Sequence, residues 1–160
     1  MHRLIASARM SDRTGSAVRA TIVIDRPIED VFAVLTNVDN TGKWFPGNVQ
    51  EWWTSPPPHG VGSTRRARVK MGLMTTQNDA VTTVYEPPRR AGLKGTSKNA
   101  PFEAMLTFDA VEGGTRVDSS IEVHIAGAAK LFGGMFVRWY QKSWDQGLVN
   151  LKRMMESGEL

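Results

Sequence analysis

Apolar and polar positions alternate at the start of the patterned part of the chain and then take up a helical spacing. Over residues 18–24 every second residue is apolar, which is the period of a strand with one buried face. Pro27 suits the first position of a helix. Apolar residues then recur at helical intervals over 28–38 and predict an amphipathic helix of about three turns. A second, short helical turn is predicted over 39–44, before Pro46.

Residues 47–125 lose the helical period and break into short runs with strand character. The runs are separated by segments rich in proline, glycine and asparagine, which favour turns. Short runs at such close spacing predict an antiparallel meander. The predicted strands cover residues 49–54, 64–71, 74–85, 91–97, 102–109 and 116–125.

The helical period returns over 128–155 and predicts a C-terminal helix of roughly seven turns. One apolar stripe of this helix is interpreted as the side that covers the sheet: Val137, Tyr140, Trp144, Leu148, Leu151 and Met155. A second stripe on the opposite side consists of Leu131, Phe132, Met135 and Trp139. A helix that is apolar on both sides is either buried twice or presents a patch. Packing beneath the loops or the N-terminal extension, a dimer contact and a contact with a lipid membrane are the alternatives for the second stripe.

The chain has 160 residues, of which 41% are hydrophobic and 22% charged. This length and composition predict a single domain over residues 17–157, after a flexible N-terminal extension over residues 1–16. No apolar run is long enough to span a bilayer and no secretory signal is recognisable. We therefore expect a cytoplasmic protein without stable membrane insertion.

Residues that commonly carry catalysis or bind metals are scarce. The chain has no cysteine, which excludes disulfides, thiolate nucleophiles and cysteine metal ligands. His2, His59 and His124 fall in a tail, a proline-rich loop and an outward strand position, so we predict no metal site. No phosphate loop, dinucleotide fingerprint or nucleophile elbow occurs, and we expect no cofactor.

Basic residues are concentrated in one predicted strand, although the net charge is only +4. Arg66, Arg68 and Lys70 share one face of this strand, opposite Ala67 and Val69. A solvated outer sheet face is the simple interpretation, and a site for an anionic headgroup or carboxylate is the alternative. The strand carries no aromatic residue on which bases stack, so nucleic acid is not an expected partner.

Several local motifs occur in a defined order along the chain. They are IDRPIEDVFAVLTNVDN over 24–40, Trp44-Phe45-Pro46, Pro58-x-Gly60-Val61-Gly62-Ser63, Tyr85-Glu86-Pro87-Pro88-Arg89-Arg90, Gly113-Gly114-Thr115-Arg116 and Leu151-Lys152-x-Met154-Met155-Glu156. With this order and spacing, residues 18–156 resemble the START-related SRPBCC superfamily and, within it, the polyketide cyclase/dehydrase-like branch. The resemblance implies an α+β helix-grip fold of order β-α-α-β6-α, with a curved seven-stranded antiparallel sheet wrapped around the long C-terminal helix. It also implies an internal cavity for hydrophobic ligands.

Aromatic and polar residues from the short helices, the sheet and the C-terminal helix are expected to line that cavity. The predicted ligand-binding residues are Trp44, Phe45, Trp53, Asn78, Phe102, Phe108, Phe136, Tyr140 and Trp144. Ordinary core packing is the alternative for the aromatic members. Tyr140 and Glu51 are the catalytic candidates, because a phenol or a carboxylate in an apolar cavity can take part in proton transfer.

Three functions remain open from the sequence. The first is binding of a hydrophobic small molecule, such as a lipid, polyketide, isoprenoid or aromatic compound, in the internal cavity. The second is an enzyme resembling polyketide cyclase/dehydrase, which acts largely by positioning its substrate in the same cavity. The third is a regulatory or co-chaperone-type module that uses an exposed face. A monomer and a homodimer are both compatible with the sequence.

Overall fold

The computed structural model describes residues 16–71, 73–97 and 101–160. The helices and strands of this part of the chain are β1 (Ser16–Ile24), α1 (Ile28–Thr36), α2 (Val38–Trp44), β2 (Asn48–Trp53), β3 (Thr64–Met71), β4 (Met74–Glu86), β5 (Arg90–Gly95), β6 (Phe102–Val111), β7 (Gly114–Val123) and α3 (Lys130–Ser157). Residues 1–15 of the predicted N-terminal extension lie outside the described residues. Ser16, its last predicted member, already pairs with Val123 in β1.

The strands form one antiparallel sheet in the order β1-β7-β6-β5-β4-β3-β2. From β2 to β7 each strand pairs with its neighbours in sequence, which confirms the predicted meander. β1 pairs with β7 at one edge, with Val18 opposite Ile121. α1 and α2 connect the two edge strands, and α3 packs along β1. The predicted α+β helix-grip fold is therefore confirmed.

The helical segment between β1 and β2 is divided into two helices, as predicted, but the first helix ends at Thr36 and not at residue 38. α1 ends at Thr36, and Asn37 is extended, with φ −84° and ψ 115°. The Asn37 side chain accepts a hydrogen bond from the backbone N–H of Asp39 at 3.0 Å and so caps α2. The apolar spacing continued to Val38 because this residue is buried, although it begins a new helix.

Two glycines start β7 earlier than the pattern predicts. Gly113 and Gly114 have φ values of 85° and 129°, a region that glycine adopts without steric cost. A Cβ atom on Gly114 would lie 2.1 Å from the carbonyl oxygen of Ile24, so the turn packs tightly against the end of β1. β7 therefore covers Gly114–Val123 and not the predicted 116–125.

The solid part of the apolar core lies against the C-terminal half of α3. Leu148, Leu151 and Met155 are almost completely buried and belong to one cluster with residues of α1, β1, β6 and β7. Within this cluster the rings of Phe32 and Phe108 meet edge to face, with their centroids 5.1 Å apart. The N-terminal half of α3 faces a part of the sheet where packed side chains give way to a cavity.

Candidate ligand cavity

A cavity of about 500 Å³ lies between the N-terminal half of α3 and the inner face of the sheet, with α2 and β2 in its wall. Its surface is mainly apolar. Alternate residues of β3, β5 and β6 point into it, because successive side chains of a strand face opposite ways. The predicted site residues that line it are Trp44, Phe45, Glu51, Asn78, Phe102, Phe136, Tyr140 and Trp144.

Trp53 and Phe108, which the sequence also placed among the ligand-binding residues, lie outside the cavity wall. Trp53 is the last residue of β2, where its ring stacks on His59 with the centroids 4.0 Å apart. Phe108 is 1% exposed and packs in the solid core against α1. Strand alternation assigns each residue to a face of the sheet, but it does not say how far along that face the cavity extends.

Aromatic rings from α2 and α3 form the wall opposite the sheet. The Trp144 ring meets Trp44 edge to face, with the centroids 5.6 Å apart, and stacks nearly parallel on Tyr140 at 6.5 Å. The indole N–H of Trp144 donates a hydrogen bond to the Ser119 hydroxyl at 2.8 Å. This bond ties α3 to β7 and satisfies the one polar group of the indole, so Trp144 presents an apolar surface to the cavity.

One wall of the cavity carries a polar group formed by Glu51, Arg65 and Thr41. The Thr41 hydroxyl donates a hydrogen bond to Glu51 Oε2 at 2.6 Å, and Arg65 Nη1 donates to Glu51 Oε1 at 3.3 Å. The side chains of Arg65 and Glu51 are only 12% and 11% exposed. Within the described part of the chain, Arg65 Nε is buried and has no hydrogen-bond partner. The opposite charges of Arg65 and Glu51 cancel. The guanidinium still has N–H groups that can donate hydrogen bonds to a further acceptor.

Burial raises the pKa of Tyr140 to about 12, and the negative charge of Glu51 acts in the same direction. The phenol consequently keeps its proton throughout the neutral range. Tyr140 can donate a hydrogen bond to an oxygen in the cavity, but it does not serve as a base there.

Arg65 is a charged cavity residue that the sequence analysis did not select. It shares its strand face with Ala67, which lines the cavity. Arg66 lies on the other face, where its guanidinium pairs with Asp79 at 2.6 Å. The alternation of side chains along β3 places the two arginines on opposite faces of the sheet. Asn78 lies directly opposite Ala67 in the β3–β4 register and therefore shares its inner face. The polar inner face of β4 thus belongs to the cavity wall.

The described residues contain neither a metal-binding cluster nor a membrane-spanning helix. Over 16–71, 73–97 and 101–160, no group of three or more His, Asp or Glu side chains is arranged to hold a metal ion. None of the helices in these ranges is long and apolar enough to cross a bilayer. His59 lies beside Trp53, and its Nε2 is 3.2 Å from the Ser55 carbonyl oxygen.

A family model described as "Polyketide cyclase / dehydrase and lipid transport" matches residues 16–156 of the chain. The matched segment contains every element from β1 to the last turn of α3. No curated protein matches the chain by sequence.

Several solved structures have the same fold at low sequence identity. TTHA0849 from Thermus thermophilus is 14% identical, with a TM-score of 0.75 over 90% of this chain and 99% of that chain. NE0264 from Nitrosomonas europaea is 14% identical, with a TM-score of 0.70 over 89% and 96% of the two chains. Ara h 8.0201 is 14% identical, with a TM-score of 0.68 over 89% and 99%. At this identity the likeness establishes the fold alone.

Proposed function

Because the chain belongs to the polyketide cyclase/dehydrase and lipid transport family, we propose that it binds a lipid, a polyketide or an aromatic compound inside the cavity between α3 and the sheet. The observation that carries the proposal is the apolar cavity of about 500 Å³. Small-molecule sites usually enclose roughly 300–1,000 Å³ and combine an apolar lining with a few polar groups. The aromatic wall and the few polar side chains of this cavity follow that pattern.

The polar group supports a ligand that is apolar over most of its length and carries an oxygen acceptor at one end. Tyr140 holds a proton that it can donate, and Arg65 has donors beyond the one that Glu51 accepts. Buried donors without acceptors are costly, so a ligand oxygen near them stabilises the complex. Glu51 already accepts bonds from Thr41 and Arg65 and needs no donor from the ligand.

A cavity-filling substitution tests the proposal. Ala104 lines the cavity from β6, and Ala110 is an exposed residue of the same strand. Ala104→Trp places an indole in the ligand volume, whereas the matched control Ala110→Trp adds the same group outside the cavity. We expect Ala104→Trp to weaken binding of anilinonaphthalene sulfonate about ten-fold or more, and the control to leave it unchanged. Native mass spectrometry of the same proteins shows whether a molecule co-purifies.

Two results would contradict the binding function. One is a wild-type protein that carries no co-purified molecule and does not bind the fluorescent probe. The other is a folded Ala104→Trp variant that binds the probe as tightly as the wild type does. Far-ultraviolet circular dichroism establishes that each variant is folded before binding is compared.

The buried phenol and ion pair favour a second candidate function, a cyclase-like enzyme that uses the same cavity. In such a reaction Glu51 would accept a proton from a methylene carbon of a poly-β-keto chain, and this carbon would attack a carbonyl carbon of the same chain. The carbonyl oxygen would then take up the proton from Glu51 as a hydroxyl group, and that hydroxyl would leave with a neighbouring C–H hydrogen as one water. Tyr140 would donate a hydrogen bond to the carbonyl oxygen on which negative charge develops. The aromatic wall would hold the chain in a folded conformation.

Turnover of a poly-β-keto thioester separates this candidate from binding alone. An enzyme that depends on the phenol loses about 100-fold in kcat when Tyr140 is replaced by Phe, with a smaller change in KM. Turnover that is equal in the wild type, Tyr140→Phe and Glu51→Gln removes these residues from the reaction. Ligand binding without any turnover leaves the binding function in place and excludes this enzyme activity.

A further inference from the structure

The N-terminal half of α3 exposes an apolar face on the side opposite the cavity. Leu131, Phe132, Met135 and Trp139 are 86%, 66%, 64% and 37% exposed. Their positions fall within an arc of about 100° on the helix surface. These four residues form the apolar face of α3. Exposed large side chains that are contiguous on one surface mark a site of interaction.

Positive charge accompanies the apolar face. Lys130, Arg138 and Lys142 belong to the same segment, and residues 130–144 contain no Asp or Glu. In the described ranges of the chain none of these three cations forms an ion pair with a carboxylate. The segment therefore presents apolar and cationic groups together and needs a partner with apolar and anionic groups.

An aromatic row connects the apolar face to the cavity. The Trp139 ring lies 6.2 Å from Phe136 and 6.3 Å from Tyr140, measured between centroids. Phe136 and Tyr140 line the cavity. A partner seated on the apolar face is thus separated from the cavity by one layer of side chains.

We propose that the apolar face of α3 and its cations dock the protein on the surface of an anionic lipid bilayer. A helix with Trp, Phe and Leu on one side and basic residues beside them is the usual interfacial membrane anchor. Anionic headgroups supply the negative charge, and the acyl boundary accepts the apolar side chains. Long basic side chains can bury their stems while their charged ends reach the headgroups.

Charge argues against two other occupants of this face. In a two-fold dimer the same surface meets itself, so the cations of one copy would face those of the other without intervening carboxylates. The N-terminal sequence carries Arg3, Arg9 and Arg13 against the single acid Asp12 within residues 1–15. This net positive charge does not complement α3, whereas it does complement an anionic bilayer.

Docking would bring the cavity wall close to the membrane, where a hydrophobic ligand enters or leaves without crossing water. That consequence rests on the proposed binding function. The docking itself depends only on the surface of α3, so the two proposals are tested by different measurements.

Vesicle sedimentation with the full-length chain tests the docking. The probes are phosphatidylcholine vesicles and otherwise identical vesicles in which about one-third of the lipid is phosphatidylglycerol. We expect the wild type to sediment with the anionic vesicles, not with the neutral ones, and to be released as salt is raised.

Substitutions separate the apolar and the charge contributions. Leu131→Ser with Phe132→Ser should weaken vesicle binding about ten-fold or more. Val149 is a matched control, because it is 56% exposed on the C-terminal half of the same helix, and Val149→Ser should have no effect. Arg138→Gln with Lys142→Gln should weaken binding about 25-fold, since each cation near an anionic surface contributes about five-fold.

Three outcomes would overturn the docking proposal. The first is a wild type that does not bind anionic vesicles, and the second is a Leu131→Ser with Phe132→Ser variant that binds them as well as Val149→Ser does. The third outcome is that sedimentation equilibrium shows a wild-type dimer and that the same double substitution dissociates it. The apolar face of α3 would then bind a second copy of the chain and not a bilayer. Native mass spectrometry reports ligand occupancy independently, so a docking failure with an occupied cavity leaves the binding function intact.

Discussion

At the scale of single residues, the cavity wall combines a neutral ion pair with a phenol whose acidity is suppressed. Glu51 and Arg65 balance each other's charge, and Thr41 fixes one carboxylate oxygen. The same carboxylate opposes ionisation of Tyr140. These contacts mean that a change at one of the residues alters the protonation or the pairing of the others.

Removal of one member of the buried pair should cost more stability than removal of both. Arg65→Met leaves the Glu51 carboxylate without its cation, and we expect the free energy of unfolding to fall by about 3 kcal/mol. Glu51→Leu combined with Arg65→Met should stay within about 1 kcal/mol of the wild type, as apolar groups replace the pair. Urea unfolding measures both values.

The exposed pair on the outer sheet face provides the control for this comparison. Arg66 and Asp79 form an ion pair with side chains 38% and 48% exposed. Arg66→Met should lower the free energy of unfolding much less than Arg65→Met does, because water screens the exposed pair. Equal losses for Arg65→Met and for the double variant would contradict this expectation, because the unpaired Glu51 carboxylate would then add no cost of its own.

The raised pKa of Tyr140, about 12, predicts a stability change at alkaline pH. The phenol ionises at a lower pH in the unfolded chain, where its ordinary pKa is 10.0. A phenol whose pKa is higher in the folded state contributes its full stability below the pKa of the unfolded chain. This contribution is lost as the pH rises from about 10 to about 12. The free energy of unfolding should therefore decrease more in the wild type than in Tyr140→Phe across this range. Parallel pH profiles for the two proteins would contradict the buried, neutral phenol.

At the scale of elements, α3 has different surroundings at its two glycines. A Cβ atom on Gly134 would meet nothing within 4 Å, whereas one on Gly147 would lie 3.1 Å from Trp44 Cζ3 and 3.3 Å from Pro46 Cδ. Gly134 therefore serves no packing need, but Gly147 permits the close approach of α3 to α2.

Opposite effects on stability follow for the two positions. Gly134→Ala should raise the free energy of unfolding by about 0.5–1 kcal/mol, because alanine favours the helix and meets no obstacle. Gly147→Val should lower it by about 1–3 kcal/mol, because the added methyl groups displace the Trp44 ring. Thermal and urea unfolding of both variants measure the changes. Destabilisation by Gly134→Ala would mean that the outer side of α3 is closely packed.

The elements themselves followed from local patterns, while their ends depended on contacts that a pattern does not contain. Alternation and helical spacing predicted every strand and the long helix. The break at Asn37 depends on a side-chain cap, and the early start of β7 depends on the approach of Gly114 to Ile24. In the cavity, parity correctly placed Glu51 and Asn78, but the extent of the cavity along each strand is a property of the assembled sheet. For that reason Trp53 and Phe108 were expected in its wall.

At the scale of the whole molecule, a solid core and a cavity share one helix. The C-terminal half of α3 contributes Leu148, Leu151 and Met155 to the core, while its N-terminal half contributes Phe136 and Tyr140 to the cavity wall. Stabilising contacts are consequently concentrated at one end of the helix. This arrangement keeps the scaffold rigid where α1 and the sheet pack together and leaves open volume at the other end.

Hydrogen exchange should report this division along α3. Amides of residues 146–155 should exchange at least about ten-fold more slowly than those of residues 135–142 in the ligand-free protein, because less packing opposes local opening beside the cavity. Both segments lie inside the helix, away from its unpaired first turn. Mass spectrometry or NMR resolves the two segments. Equal amide exchange rates in the two segments would show that the cavity does not favour local opening of the helix beside it.

The pairing of β1 with β7 also imposes an order on the formation of the protein during synthesis. Arg19 donates a side-chain hydrogen bond to Ser120, 101 residues further along the chain. As the ribosome releases the chain from its N-terminus, β1 has no partner strand until β7 has emerged, and Val18 and Ile24 have no core to enter. The meander from β2 to β7 forms from neighbouring strands in the meantime. β1 therefore stays an unpaired strand with apolar side chains until β7 follows, and it joins the sheet after the meander has begun to form.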